Sequence, residues 1–400
     1  MKLQDRGKIN RLIWLLSLTY MVSYITRINY GAMIAQMVEE TGYAKSLLSM
    51  AVTGSFITYG VGQVVSGIFG DRISSKKLIA IGLLTTVCMN LLMVLCANPY
   101  QMLVVWCVNG FAQSFMWPPL VRIMATTLSK DDYTIAATRV SWGSSFGTII
   151  VYLLAPLMIS LSGWKAMFLL CGGCGAVMLL LWLRLAPNTP ITPVPKTEKQ
   201  TGHGRILFTP VMIAIMVAIL LMGMLRDGVT TWMPSYIAET YKLSSVVSIL
   251  SGVVLPVFSI GCFQLVSRLY RKKFTNPVSC AAFMFAAGVL SAVLLVLLTG
   301  KNPYGSVLFF AALTGSMHGV NLLLIQILPA FFDRWGCVST ACGVLNACTY
   351  VGSAASTYGV ALLTEKMGWN ATLYSWLAAA ALGMAICLIC AKPWKKKYGE

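Results

Sequence analysis

Apolar residues occur in twelve long runs that are separated by short polar turns. Each run is at least 20 residues long. An α-helix needs about 20 apolar residues to cross the hydrocarbon core of a bilayer. We therefore predict twelve transmembrane helices, numbered here as segments 1 to 12. They cover about residues 12–38, 47–69, 78–97, 101–127, 135–160, 165–186, 209–237, 245–268, 277–299, 304–331, 339–363 and 369–391.

One long polar connection divides the twelve segments into two sets of six. Residues 187–205 contain four prolines and no apolar period, whereas the other connections are short. Such a stretch is typical of an irregular linker. We predict an N-terminal six-helix bundle over residues 1–186, a cytoplasmic linker over 187–207 and a C-terminal six-helix bundle over 208–400.

The two sets of six resemble each other in sequence. Gly163-Trp164 recurs 205 residues later as Gly368-Trp369, and an arginine in segment 1 recurs 199 residues later in segment 7. The basic loop after segment 2 also has a counterpart after segment 8. Secondary transporters are built from duplicated halves that bind substrate near the midplane. We predict an all-α integral membrane protein made of two pseudo-symmetric six-helix bundles.

Composition and charge exclude a soluble enzyme and a nucleic-acid-binding protein. The chain is 58% hydrophobic and 10% charged, against about 25% charged residues in soluble domains. Of its 30 Lys and Arg residues, 21 lie in the termini and in the loops after segments 2, 4, 6, 8 and 10. This bias predicts that both termini are cytoplasmic. The first run lacks a cleavage site, so we interpret it as a span of a multi-pass inner-membrane protein.

Two arginines lie deep within apolar segments. Arg27 and Arg226 stand 12 and 13 residues before Glu39 and Glu239, which we place at the membrane surface. A guanidinium near the bilayer centre costs about 2.5–3.5 kcal/mol on insertion scales, so such a residue is a candidate functional site. Its planar fork matches phosphate or carboxylate oxygens and stays charged when buried. We predict that the two arginines bind a small anion.

Asp227 leaves two interpretations open. Segment 1 has no carboxylate near Arg27, whereas Asp227 directly follows Arg226 and is the one acidic residue that we place within the membrane. Adjacent helical residues point about 100° apart, so a direct pair depends on the length of the arginine side chain. Asp227 either neutralises Arg226 in the empty protein or is a protonation site for cation-coupled transport.

The sequence predicts no metal site, no cofactor and no enzymatic centre. The pairs Cys171/Cys174 and Cys387/Cys390 lie in apolar segments without histidine at ligand spacing. We interpret them as small buried thiols. No nucleophile and base are spaced for catalysis, and we expect the chain to act as a monomer in the bilayer.

Prolines and glycines predict where helices break or pack closely. Residues 117–119 (Trp-Pro-Pro) predict a break within segment 4. Gly143 and Gly147 in segment 5, like Gly252 and Gly261 in segment 8, predict helix-packing surfaces.

The loop after segment 2 predicts a cytoplasmic latch. Gly67 and Gly70 allow close helix approach, and Asp71 can pair with a cation of a neighbouring helix. We expect this latch to contain Asp71, Arg72, Arg122 and Arg139. Residues 67–77 resemble the signature loop of the major facilitator superfamily, although the second-half loop has Ser267 in place of the aspartate.

Within that superfamily, the chain resembles the organophosphate:phosphate antiporter family of glycerol-3-phosphate and hexose-phosphate transporter type. The motifs are Tyr-x-x-x-Tyr-x-x-Arg-x-Asn over 20–29, Trp-Pro-Pro over 117–119 and Leu-Arg-Asp-Gly over 225–228. The resemblance implies that the two arginines bind phosphate and that tyrosines line the cavity. The implied substrate-binding residues are Arg27, Arg226, Tyr20, Tyr24, Tyr59 and Tyr350. The predicted site also includes His318, Gln63 and Trp117.

Several positions depart from the family pattern. Ile28 replaces a lysine that often follows the first arginine, Gln63 replaces a lysine, and Ser144 and Ser251 replace a histidine and a glutamate. His318 falls on a cavity tyrosine, and it is either a satisfied buried histidine or a contact for substrate or proton. These departures concern the organic part of the substrate more than its anionic character.

The function indicated is secondary transport of an organic anion, namely a phosphorylated metabolite exchanged for inorganic phosphate by alternating access. Proton-coupled symport of an organic anion is the alternative if Asp227 or His318 titrates. A cationic-drug exporter is disfavoured because segment 5 lacks the Gly-Pro signature and the arginines make the pocket positive. A sensor of sugar phosphates with the same fold is a further alternative.

Overall fold

The computed structural model describes residues 2–187, 206–242 and 254–398, and the regular secondary structure in these ranges is helical. Seven of the helices are long and apolar enough, by length and composition alone, to cross a membrane. The predicted all-α class is therefore confirmed, while the count of twelve spans stays a prediction. The predicted linker lies outside the described residues except for 187, 206 and 207.

Eleven α-helices follow one another in the described ranges. Between Asn321 and Val338, the chain forms a π-helical turn over Leu322–Ile327 and a 3₁₀ stretch over Leu328–Trp335. The α-helices are α1 (Arg6–Thr41), α2 (Lys45–Arg72), α3 (Ser75–Met93), α4 (Pro99–Gln113), α5 (Trp117–Thr127), α6 (Lys130–Leu185), α7 (Pro210–Tyr241), α8 (Val254–Lys272), α9 (Pro277–Leu298), α10 (Pro303–Asn321) and α11 (Val338–Tyr398).

Four helices begin with the same local chemistry, a polar capping residue followed by proline. The caps Asn98, Thr209, Asn276 and Asn302 each accept a hydrogen bond from a backbone N–H of the first turn. Proline fits the first helical position because its φ is already helical and its missing N–H would have no intrahelical partner. The sequence therefore sets the starts of α4, α7, α9 and α10.

Glycine and proline also set the interruptions. Helices α6 and α11 each run through a kink, at Gly163 (φ 74°) and Gly368 (φ 76°), where the turns between segments 5 and 6 and between 11 and 12 are predicted. Positive φ favours glycine because it has no Cβ. The break predicted at Trp-Pro-Pro is confirmed, since α4 ends at Gln113 and α5 begins at Trp117.

The chain forms two compact units. The first contains residues 1–194 together with 333–344, and the second contains 195–332 together with 345–400. Aromatic rings form part of the first core, where Tyr30 lies 5.1 Å from Trp106 in a tilted arrangement and 6.0 Å from Phe168 in an edge-on arrangement, measured between ring centroids. In the second unit, Tyr236 packs at 5.0 Å against Phe310. The boundaries predicted at 186 and 208 stay a prediction.

One close helix contact recurs at equivalent positions of the two units. In the first, a Cβ added to Gly147 of α6 would lie 2.7 Å from the carbonyl oxygen of Met21 in α1. In the second, a Cβ on Gly352 of α11 would collide with the carbonyl oxygen of Leu220 in α7. The glycines are 205 residues apart and their partners 199 apart, the same offsets as in the sequence repeat. The contact agrees with duplicated bundles.

The packing prediction for glycines was correct in α6 and wrong in part for segment 8. Gly143 faces the carbonyl oxygen of Ser17 on α1, as expected. Gly261, by contrast, has nothing within 4 Å of an added Cβ. The tight approach lies one residue further along, where Cys262 meets Gly315 of α10. Gly252 lies outside the described residues.

Candidate functional site

Arg27 lies against aromatic side chains of the first unit. Its Cζ is 4.3 Å from the ring centroid of Tyr24 and 4.7 Å from that of Tyr59. Tyr20, Tyr24 and Arg27 share one face of α1 because they are spaced four and three residues apart. Tyr20 packs in turn against Trp117 of α5, at 4.8 Å between centroids. The structure thus brings together five of the predicted binding residues.

Gln63 is a further predicted binding residue of this unit. It is buried on α2, and its backbone carbonyl lies where a Cβ on Gly343 would be. It lies on the same face of α2 as Tyr59, because the two residues are four positions apart. Its predicted role in binding stays a prediction.

Arg226 forms a bidentate ion pair with the residue that follows it. Its Nε lies 2.7 Å from Oδ1 of Asp227 and its second guanidinium nitrogen lies 2.8 Å from Oδ2. Ser353 of α11 donates its hydroxyl to Oδ2 of the same carboxylate. The side chain of Arg226 is 14% exposed and that of Asp227 is 34% exposed. Of the two interpretations of Asp227, the geometry favours neutralisation of Arg226.

Two further predicted residues, His318 and Tyr350, belong to the second unit. His318 is half-buried on α10, within electrostatic range of Arg226 and Asp227, and its ring meets Phe263 edge-on at 5.5 Å between centroids. Tyr350 is half-buried on α11, three residues before Ser353. The roles of His318 and Tyr350 in binding stay a prediction.

The two arginines occupy equivalent positions with different surroundings. By the repeat offsets, Asp227 corresponds to Ile28 and Ser353 corresponds to Thr148. The first unit therefore has an apolar residue and a hydroxyl where the second has a carboxylate and a hydroxyl. Ser353 was missed from the sequence because several serines and threonines follow one another in this part of α11, and nothing in the pattern distinguishes one of them.

The predicted latch is only partly assembled. Asp71 accepts hydrogen bonds from the backbone N–H groups of Ser339 (2.9 Å) and Thr340 (2.7 Å) in the first turn of α11, all within the first unit. Arg122 lies 3.9 Å from the same carboxylate, and it also donates to the carbonyls of Gly70 and Ile73. A carboxylate at a helix N-terminus satisfies its unbonded N–H groups and interacts favourably with the helix dipole.

Arg72 and Arg139 do not join this arrangement in the described residues. Arg72 is exposed at the end of α2, and Arg139 is half-buried on α6. Neither takes part in an ion pair within the ranges that the structure describes. Their predicted place in the latch therefore stays a prediction. The sequence missed the contact between Asp71 and the first turn of α11 because it joins residues about 270 positions apart.

The sequence predicts that Cys171/Cys174 and Cys387/Cys390 are small buried thiols. The twelve cysteines are free thiols; Cys171, Cys387 and Cys390 are buried, whereas Cys174 is half-buried. Among the residues that the structure describes, no group of three His, Cys, Asp or Glu side chains is arranged to hold a metal ion.

A helical fold of two repeated units is the architecture of many secondary transporters. The family model of the Major Facilitator Superfamily matches residues 16–357. The chain therefore belongs to this superfamily and is a membrane transporter, not an enzyme.

Relatives and solved structures agree with this assignment. A probable hexose phosphate transport protein of Chlamydia pneumoniae is 21% identical over 94% of this chain and 90% of its own length. The membrane sensor protein UhpC of Salmonella typhimurium is 24% identical over 94% of this chain and 89% of its own. The proton:xylose symporter XylE superposes with a TM-score of 0.77 at 13% identity, covering 99% of this chain and 97% of that one. The relatives confirm the resemblance to the organophosphate:phosphate antiporter family.

Proposed function

We propose that this protein carries a phosphorylated metabolite across a prokaryotic inner membrane in exchange for inorganic phosphate. Transport proceeds by alternating access, with both termini in the cytoplasm and a monomer as the working unit. Arg27 and Arg226 bind the anionic oxygens of the substrate. The hexose phosphate relative, similar over 94% of this chain, supports a phosphorylated substrate.

The setting of Arg27 is the observation that carries the proposal. Tyrosine rings at 4.3 and 4.7 Å stabilise its guanidinium through their π faces. Neutral rings fix the position of the cation and do not cancel its charge. An arginine held in this way in an apolar unit suits a phosphate group, whose oxygens accept paired N–H donors.

Arg226 contributes in a different way because Asp227 occupies its fork. The carboxylate makes the two hydrogen bonds that a phosphate would otherwise make. We propose that Asp227 is an internal counter-anion that neutralises Arg226 in the empty protein. When substrate binds, Asp227 releases at least one guanidinium N–H of Arg226, which then donates to the substrate. The hydroxyl of Ser353 then stabilises the displaced carboxylate.

The same carboxylate supports the alternative of proton-coupled symport. An aspartate beside His318 within a membrane-spanning unit could take up a proton when the substrate displaces it from Arg226. Exchange and symport differ in their driving force. Exchange requires phosphate on the opposite side of the membrane and does not depend on a pH gradient. Proton-coupled symport depends on the pH gradient.

A ligand panel tests the binding step. Thermal shift of the detergent-solubilised protein would be measured with phosphate, glycerol phosphate, hexose phosphates, dicarboxylates and a cationic drug. We expect phosphate and at least one organophosphate to raise Tm, because a ligand that binds only the folded state stabilises it by mass action. A rise with the drug alone would indicate the exporter, and no rise with any phosphate compound would contradict the proposal.

Similarity to a membrane sensor makes a second outcome informative. A sensor of the same fold would bind an organophosphate without carrying it. Binding in the panel, combined with no flux in sealed vesicles under either driving force, would therefore indicate sensing and would refute transport.

A further inference from the structure

Four buried amide side chains meet α1 at the turn that carries Arg27. They are Asn29 of α1 itself, Asn90 of α3, and Asn109 and Gln113 of α4, and with Thr26 we call them the Thr26 amide cluster. All five residues belong to the first unit and are at most 1% exposed. A buried amide in an apolar bundle needs a hydrogen-bonding partner, because burial without one is unfavourable.

Thr26 is the common acceptor of this cluster. Its backbone carbonyl accepts hydrogen bonds from Nδ2 of Asn90 (3.1 Å) and from Nδ2 of Asn109 (3.2 Å). Its hydroxyl oxygen accepts a third from Nε2 of Gln113, at 2.9 Å. Asn29 closes the cluster by donating to Oδ1 of Asn90 at 2.8 Å. Two neighbouring helices are therefore bonded to a single residue of α1.

These bonds fix both the rotation and the height of α1 at this level. Adjacent residues of a helix point about 100° apart and rise 1.5 Å. The direction in which the Arg27 side chain leaves the helix therefore follows from the position of Thr26. If α1 turned or slid, the amides of Asn109 and Gln113 would lose these acceptors in an apolar interior, which is unfavourable. Asn90 would keep only its second bond, to the carbonyl of Thr86 in its own helix.

The second arginine stands in a different setting. The residue that corresponds to Thr26 is Leu225, which is buried and has no side-chain hydrogen-bonding group. There the ion pair with Asp227 orients Arg226 directly. Arg27 has aromatic contacts at its guanidinium, and the amide cluster is hydrogen-bonded to Thr26, the residue before it.

We propose that the Thr26 amide cluster positions Arg27 for anion binding. Asn90, Asn109 and Gln113 act through α1 and do not contact the anion. The inference rests on the proposed function in one respect, namely that Arg27 binds a phosphate group. It also makes a claim about α1 itself, which can be measured without any ligand.

The test removes one bond without leaving an orphaned polar group. Gln113→Met leaves Thr26 bonded to its own helix, since its hydroxyl also lies 3.0 Å from the carbonyl of Val22. In T26V/Q113M both partners are apolar, so we expect a Tm close to that of the wild type. Ser114→Ala is the matched control, because Ser114 directly follows α4 and its hydroxyl donates to the carbonyl of Phe111 in the last turn of that helix.

The first readout is phosphate affinity. A single bond of this kind within a membrane bundle corresponds to a change of about threefold, so we expect Q113M and T26V/Q113M to bind phosphate about threefold more weakly, and Q113M/N109A about tenfold more weakly. In an Arg27→Lys background the same substitutions should add no further loss. Equal affinity of T26V/Q113M and wild type, or an undiminished loss in the R27K background, would overturn the inference.

The second readout is backbone hydrogen exchange in α1, followed by mass spectrometry without ligand. We expect peptides that cover residues 24–30 to exchange faster in Q113M/N109A, with unchanged exchange elsewhere in the first unit and in S114A. Unchanged exchange in these peptides would overturn the inference. If the wild type binds no phosphate compound, the proposed function fails, while this measurement still decides whether the cluster fixes α1.

Discussion

Arg27 and Arg226 are equivalent by the repeat but are held by different chemistry. Tyrosine rings lie against the guanidinium of Arg27. Arg226 instead forms an ion pair with Asp227, whose carboxylate also accepts a hydrogen bond from the hydroxyl of Ser353. The two arginines related by the repeat therefore lie in different local surroundings.

Replacing Arg27 by lysine tests the geometry of the first arginine. Lysine keeps the positive charge but loses the bidentate fork. We expect phosphate affinity to fall about 10- to 100-fold, the equivalent of one charge-assisted hydrogen bond. Isothermal titration would measure it, with Arg72→Lys as the control because Arg72 is exposed and takes part in none of the ion pairs described above. Wild-type affinity in R27K would remove Arg27 from the site.

Replacing Asp227 by asparagine tests the internal counter-anion. The substitution keeps the shape but removes the charge, so Arg226 loses its ionic partner in the empty protein. We expect Asp227→Asn to lower Tm without ligand and to enlarge the rise in Tm that saturating phosphate produces. Ser353→Ala should change both quantities in the same direction but less. An unchanged or smaller phosphate-induced rise in D227N would contradict this role.

Most residues of the candidate site could be identified from the sequence, but the ion pairs and hydrogen bonds that they form could not. A charged residue in an apolar run is conspicuous, so Arg27, Arg226 and Asp227 could be found from pattern alone. Whether Arg226 pairs with its neighbour depends on a side-chain conformation that spacing cannot determine. The acceptor role of Thr26 was equally invisible, because backbone carbonyls have no sequence signature.

At the scale of elements, glycines determine how closely the helices of each unit approach. Gly147 on α6 and Gly352 on α11 face backbone carbonyls of α1 and α7, the helices that carry the two arginines. Without a hydrophobic driving force between helices in lipid, such close packing is a main source of association. Packing at these glycines therefore determines where each arginine stands in its unit.

Alanine substitutions test this packing with controls on the same helices or in the same unit. We expect Gly352→Ala and Gly147→Ala to destabilise the protein by about 1–3 kcal/mol, as overpacking does. Gly359→Ala on α11 and Gly31→Ala on α1 should be neutral or slightly stabilising, because nothing lies within 4 Å of an added Cβ. Thermal unfolding in detergent measures both pairs. Equal Tm values within each pair would refute the packing argument.

A separate prediction concerns the hydrogen bonds that the carboxylate of Asp71 accepts from the first turn of α11. Asp71→Asn keeps one acceptor oxygen but loses the charge that favours the N-terminus of the helix. We expect a loss of about 1 kcal/mol in local stability, the usual value of an N-cap. Hydrogen exchange should therefore rise in peptides that cover residues 338–344. Unchanged exchange there would show that Asp71 does not stabilise this turn.

The order of helices could be predicted because proline and glycine mark their ends. Asn-Pro or Thr-Pro begins four helices, and Gly163 and Gly368 mark the predicted turns. The end of segment 10 could not be predicted in detail. There the chain changes to π and 3₁₀ geometry around Pro329, and proline shows only that a regular helix is interrupted.

At the scale of the whole molecule, transport requires that the energetic cost of closing the protein depend on its ligand. A guanidinium is costly to enclose in apolar surroundings, and a bound phosphate reduces that cost. In the proposed mechanism, Asp227 lowers the same cost at Arg226 in the empty protein.

Exchange in reconstituted vesicles tests the central proposal most directly. Vesicles loaded with inorganic phosphate would receive external radiolabelled hexose phosphate or glycerol phosphate, with equal pH on both sides. We predict uptake of at least one of these compounds by wild type, none in vesicles without internal phosphate, and a strong reduction in R27K. Uptake that needs a pH gradient and ignores internal phosphate would contradict exchange and establish proton-coupled symport instead.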